Sequence, residues 1–191
     1  MDDGAGDEKV IHRLFDKPDS FGWVSIGLHW TTAALVVVLW FISQSIDDQA
    51  IEIMESRRGI HVSVAVTAWL LLLARIVWRV SGQHPRAGGQ SRIVHGVAKV
   101  VHYTMLMAIA VMMISGPAYV WAHGDPIVVF GWWQLPVVVD EKVRIAGLAY
   151  TAHSTSSKVL VALVLIHVGG ALKHMMFHED DTIVRMLWPK T

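Results

Sequence analysis

The chain has 191 residues, of which 53% are hydrophobic and only 17% charged, with a formal net charge of zero. That balance supplies no basic face for nucleic acid. The absence of cysteine excludes disulfides, thiolate-held iron–sulfur clusters, covalently attached CxxCH haem and cysteine nucleophiles.

The length fits one domain of ordinary size. The apolar residues fall in long blocks, as in a membrane protein rather than a greasy soluble one. Residues 1–20 are polar and acidic, lack an apolar h-region, and are expected to form a solvated cytoplasmic tail with no secretory signal. His12 within it is read as surface. The first apolar block runs from Val24 to Ser43 and carries His29 near its start. Residues 44–58 form a polar connection with Asp47, Asp48, Glu52, Glu55, Arg57 and Arg58. The second block, about Gly59–Val80, opens with His61 and holds Arg75 and Arg79 near its end, where both can snorkel to the interface.

A Gly-, Pro- and Arg-rich loop at 81–92 leads to the third block, about Ile93–Tyr119, which Gly116-Pro117 should end or kink. Residues 120–151 make a long connection with interfacial tryptophans Trp121, Trp132 and Trp133. Its DEKVRIAGLAY portion could be a short helix lying on the surface. The fourth block, AHSTSSKVLVALVLIHVGGALKH, precedes a polar tail. Four spans in so short a chain predict an all-α membrane protein, an up-and-down bundle of four helices.

Loop charge sets the expected orientation. The 81–99 connection carries Arg86, Arg92 and Lys99 and no acid, whereas the loops at 44–58 and 120–151 are acidic on balance. The positive-inside rule therefore places both termini in the cytoplasm.

With that topology the histidines sort by depth. In the fourth block His153 and His167 are fourteen residues apart, almost four whole turns, so both leave one face about 21 Å apart along the axis. His61 opens the second span on the same outer side as His153. His29 lies within the inner end of the first span, at the depth of His167. Ionisable groups inside a span mark a functional path by default. Two pairs sharing the fourth helix are the arrangement that clamps two planar macrocycles, each iron between two imidazoles. Ser25, Ser63, Ser154, Ser157 and Thr32 are candidates to fix the rings through their second nitrogens. His102 shares a face with His95, and is either an inner ligand competing with His29 or part of a second pocket. His174 is a structural residue or a quinone hydrogen-bond donor. His84, His123 and His178 fall in loops.

The segments GWVSIGLHW, RRGIHVSVA, VHYTMLMAIAVMMISGPAY, AHSTSSKVLVALVLIHVGGALKH and DTIVRMLWP resemble, in order and spacing, the bacterial cytochrome b561 family of di-haem inner-membrane proteins. The likeness covers residues 21–189. It implies two haem b groups, held by residues matching His29 and His167 on the inner side and His61 and His153 on the outer side. It also implies electron exchange with quinone, with His102 and His174 matching the family's other recurrent histidines.

The expected function is electron transfer across the inner membrane between an outer-side redox partner and the quinone pool, with ubiquinone as the redox substrate. The alternatives are a superoxide oxidase reducing ubiquinone, a cytochrome b subunit of a dehydrogenase or hydrogenase and, from another class, a divalent-metal transporter. Metal transport would favour carboxylates inside the spans beside histidine, and no block has one at its centre. Haem propionates are expected to meet Arg57, Arg58, Arg144 or Lys158 outside and Lys99 or Lys173 inside.

Overall fold

The computed structural model describes residues 13–44, 51–82, 85, 92–138, 142–177 and 183–189. His12, Asp47, Asp48, His84, Arg86, Asp140, Glu141 and His178 lie outside the described residues, as do the first twelve positions of the N-terminal tail.

Four long helices carry the fold: α1 (Trp23–Gln44), α2 (Ile51–Ser81), α3 (Arg92–Ala122) and α4 (Val143–Phe177). Each is long and apolar enough to cross a membrane. At 1.5 Å per residue even the 22 residues of α1 cover a hydrocarbon core of about 30 Å. Large apolar side chains such as Leu70, Ile114 and Leu165 point outward, as they do when lipid rather than water surrounds a bundle.

The helices extend further than the hydropathy blocks. Residues 51–58, expected in a connection, form the first two turns of α2. Their glutamates and arginines are good helix formers, and no glycine or proline interrupts them before Gly59. Residues 143–150 are likewise not a separate surface helix but continue without a break into α4.

Gly116-Pro117 does not end α3 either; Pro117 lies inside it. Proline has no N–H to give the carbonyl four residues back, which is that of Met113. The Trp69 indole on α2 donates to the Met113 carbonyl instead, at 3.2 Å. A neighbouring helix thus satisfies the group that proline frees, which is how the bilayer interior tolerates such a residue.

α1 packs along α2 and α3 along α4, with a thinner contact between α2 and α3 joining the two pairs. The central core contains Ala68 and Leu72 of α2, Ala108 and Ile109 of α3 and Leu160 of α4, with Leu35 and Val36 of α1 against it. Leu160 lies midway between His153 and His167 along α4, so this apolar layer separates two histidine layers.

One end of the bundle is closed by a feature the sequence did not announce, a hairpin of β1 (Ile127–Val129) and β2 (Trp133–Leu135). Ile127 and Val129 bury against Val120, Val62 and Val66. The turn places Phe130 at φ 50 and Gly131 at φ 81. A left-handed phenylalanine is costly. It is held by its own N–H, which donates at 2.8 Å to Ser63 Oγ, while that hydroxyl donates to the Gly59 carbonyl.

At the opposite end Asp16 caps α1, accepting from the Gly22 N–H and the Ser25 hydroxyl at 2.7 Å each. Ser25 Oγ in turn accepts from the Trp78 indole. A Cβ at Gly22 would stand 2.4 Å from the Leu14 carbonyl oxygen, so only glycine lets residues 13–15 fold back over the helix start. After α4, a single 3-10 turn (Val184–Met186) is tied to α1 by the Trp30 indole, which donates to the Met186 carbonyl at 2.7 Å.

Candidate functional site

The α4 register brings His153 and His167 to one face, and α1 and α2 each supply one ring to meet them. At the hairpin end the His61 and His153 centroids are 6.3 Å apart with the planes at 75°. At the termini end His29 and His167 are 6.1 Å apart at 64°. Two metal–nitrogen bonds of about 2 Å, with the half-width of each ring, place the centroids of a bis-imidazole complex roughly 6 Å apart. Both pairs have that spacing.

At the hairpin end the rings meet hydroxyls and backbone. His153 Nδ1 is hydrogen-bonded to Ser115 Oγ at 3.3 Å, which leaves Nε2 free for a ligand and sets the ring. A Cβ at Gly116 would stand 3.5 Å from His153 Cε1, so α3 lies in contact with the ring. His61 Nδ1 is buried without a well-formed hydrogen bond, although the Leu39 carbonyl lies beside the ring. The His61 and His153 rings, 6.3 Å apart between centroids, have the spacing of an axial-ligand pair.

Five groups converge at the termini end. His102 Nε2 and His167 Nδ1 share a hydrogen bond at 3.2 Å, with ring centroids 4.9 Å apart. That is too close for an iron between them, and it engages the nitrogen of His167 that a metal bound at Nε2 leaves over. In this geometry His102 orients His167, and His29 has the spacing of the second ligand. Arg75 of α2 places Nη2 3.5 Å from His29 Nδ1. Arg79 lies one turn further along α2, near enough for its charge to act at His29 and His102.

Other expected residues fall elsewhere. His95 is exposed on the first turn of α3. His123 is hydrogen-bonded to the Tyr119 carbonyl at 2.8 Å. His174 is half-buried, seven residues beyond His167 on α4. Of the proposed ring-fixing hydroxyls, Ser63 holds the hairpin and Ser25 joins Asp16 to Trp78. Thr32 Oγ1 is buried with no partner. The residues that do touch the rings, Ser115, His102 and Arg75, lie on other helices, where spacing within one helix cannot reveal them. Among the described residues no cluster of three or more histidines and acids could hold a bare metal ion. A haem, which brings four nitrogens of its own, asks only two of the protein.

Residues 20–189 match the family described as prokaryotic cytochrome b561. The chain is 30% identical over 179 residues to cytochrome b561 homolog 2 of Escherichia coli (strain K12), covering 89% of this chain and 92% of that protein. It is 21% identical over 168 residues to a probable superoxide oxidase CybB of Yersinia pestis, covering 87% and 95%.

Proposed function

The chain belongs to the prokaryotic cytochrome b561 family and is a multi-pass bacterial membrane protein, a b-type cytochrome of electron transfer; from this we propose that it carries electrons between an outer-side partner and the quinone pool through two haems. His61 and His153 hold the outer haem and His29 and His167 the inner one. The supporting observation is the pair of histidine layers, with centroid separations of 6.3 and 6.1 Å, that share α4 at two depths.

The cofactor supplies one-electron chemistry when bound; the protein supplies ligands, spacing and dielectric. Ser115 fixes His153 and His102 fixes His167, so each of these rings presents one nitrogen in a set direction. The apolar layer around Leu160 keeps water from the path between the sites. Two sites are needed because a single macrocycle cannot bridge a core of about 30 Å. Loop charge puts the hairpin end outside and both termini in the cytoplasm of an inner-membrane protein. The quinone site belongs to the inner half, with His102 and His174 as the nominated residues and ubiquinone as the redox substrate. The pyridine haemochrome assay tests the reading: two non-covalent b haems per chain are expected, and one haem per chain would sink it.

The name of the Yersinia relative motivates a second reading, superoxide as the outer donor. A site built for a small anion gathers positive charge and loses rate as salt screens it. Here Arg58 has Asp125 at 3.9 Å and lies over the Tyr119 ring, so its charge is partly compensated. We infer a protein or quinone partner, with superoxide at most a slow donor. Stopped-flow reduction by superoxide should then be slow and insensitive to salt. Near-diffusion-limited reduction that falls steeply with salt would make superoxide the substrate.

A further inference from the structure

Arg75 is a permanent cation on a membrane-spanning helix, and its surroundings pose a physical problem. Its one described hydrogen bond runs to His29 Nδ1. Guanidinium only donates, so that contact uses the Nδ1 lone pair. An imidazole bound to metal through Nε2 carries its proton on Nδ1, and one bound through Nδ1 has already used that lone pair. In either case His29 cannot ligate iron and still accept from Arg75. A guanidinium beside a ligating His29 therefore needs a different acceptor.

An unpaired charge in a low-dielectric interior costs several kcal/mol, so a replacement acceptor is required. α1, α3 and α4 contain no aspartate or glutamate, and the acids of α2, Glu52 and Glu55, are in its first two turns. Arg75 is twenty residues beyond Glu55, roughly 30 Å along the axis. Asp16 lies near enough for its charge to be felt at Arg75. Its two oxygens accept from Gly22 and Ser25 at the start of α1. What arrives with the cofactor is a pair of carboxylates.

We propose that Arg75, with Arg79 one turn beyond it, forms the carboxylate-binding site for the propionates of the haem held by His29 and His167. The proposal rests on that ligand assignment. It replaces the expectation that lysines at the surface, Lys99 and Lys173, meet the inner propionates. Arg75 Nη2 stands 3.5 Å from His29 Nδ1. The guanidinium fork matches a carboxylate in two parallel bonds, a geometry a lysine does not reproduce.

The test uses purified wild-type, Arg75→Gln and His29→Ala proteins carrying haem labelled with 13C at the propionate carboxyls. Redox-difference infrared spectra and potentiometric titration are the readouts. Arg75→Gln should shift the labelled carboxylate bands of one haem. It should also lower that haem's reduction equilibrium about tenfold, or about 59 mV for one electron, and leave the other haem unchanged. Unmoved bands and unchanged potentials would overturn the proposal, and would be seen if Asp16 or a lipid phosphate takes the guanidinium instead. Should Arg75→Gln lose that haem altogether, Arg75→Lys keeps the charge without the fork. Shifted bands at full haem content then support the assignment, and unmoved bands overturn it. If His29→Ala retains both haems, the ligand reading itself fails. If His29→Ala loses one haem while Arg75→Gln changes nothing, only the arginine assignment fails.

Discussion

At the hairpin end of the bundle His61 and His153 sit among hydroxyls and backbone, with Ser115 on one ring and the Ser63-pinned hairpin overhead. At the termini end His29, His102 and His167 crowd together beside Arg75, with Arg79 close by. The pairs share one ring spacing and differ in charge. The ligand sets make two like sites possible, and the surroundings make them unlike. Reduction removes a positive charge from the iron, and neighbouring cations favour the reduced form, so charge and hydrogen bonding around a haem tune its potential.

The sharpest way to break the comparison is to remove ligands. His61→Ala or His153→Ala should lose the hairpin-side haem, and His29→Ala or His167→Ala the other, each halving the haem content. His102→Ala should retain two six-coordinate irons, because His102 is hydrogen-bonded to His167 and is not among the four proposed ligands. If His102→Ala loses a haem and His29→Ala does not, the inner pair is misassigned. The next effect is electrochemical: the termini-side haem should titrate at the higher potential, with a separation of at least about 59 mV, a tenfold difference in equilibrium. Assignment of the two steps with His61→Ala checks this, and the reverse order would remove the electrostatic distinction.

Smaller effects probe the frame around each layer. Trp69→Phe leaves the Met113 carbonyl, freed by Pro117, without its donor beside the His153 layer. It should cost about 1–3 kcal/mol in detergent unfolding, and no loss would mean that water already serves the carbonyl. Ser63→Ala should cost about 1 kcal/mol and speed amide exchange at Phe130. Unchanged exchange would show the hairpin held by Ile127 and Val129 alone.

Much of this architecture was legible in the residues. Unbroken apolar blocks announce four spans, and a fourteen-residue interval between His153 and His167 puts two rings on one face whatever their neighbours. Hydropathy blocks underestimate helix length because residues such as Glu52, Arg57 and Arg144 are polar yet helix-competent. Gly116-Pro117 reads as an end or a kink until a tryptophan forty-eight residues before the proline is seen to serve the orphaned carbonyl. Arg75 reads as an interface anchor because depth along one helix does not reveal what faces it from another. The hairpin strands have three residues each, too few for an alternation to register. Whether His29 or His102 opposes His167 could not be decided from depth, since both lie toward the same end of the bundle. The lateral spacing of the rings, 6.1 Å for His29 against 4.9 Å for His102, is what the proposed assignment rests on.

Electron paramagnetic resonance of the fully oxidised protein, at known haem content, tests the central claim most directly. The account predicts two low-spin ferric signals of equal weight, both strongly anisotropic because the imidazole planes cross at 75° and 64°. A single low-spin signal, or high-spin iron in the intact protein, would contradict two bis-histidine sites.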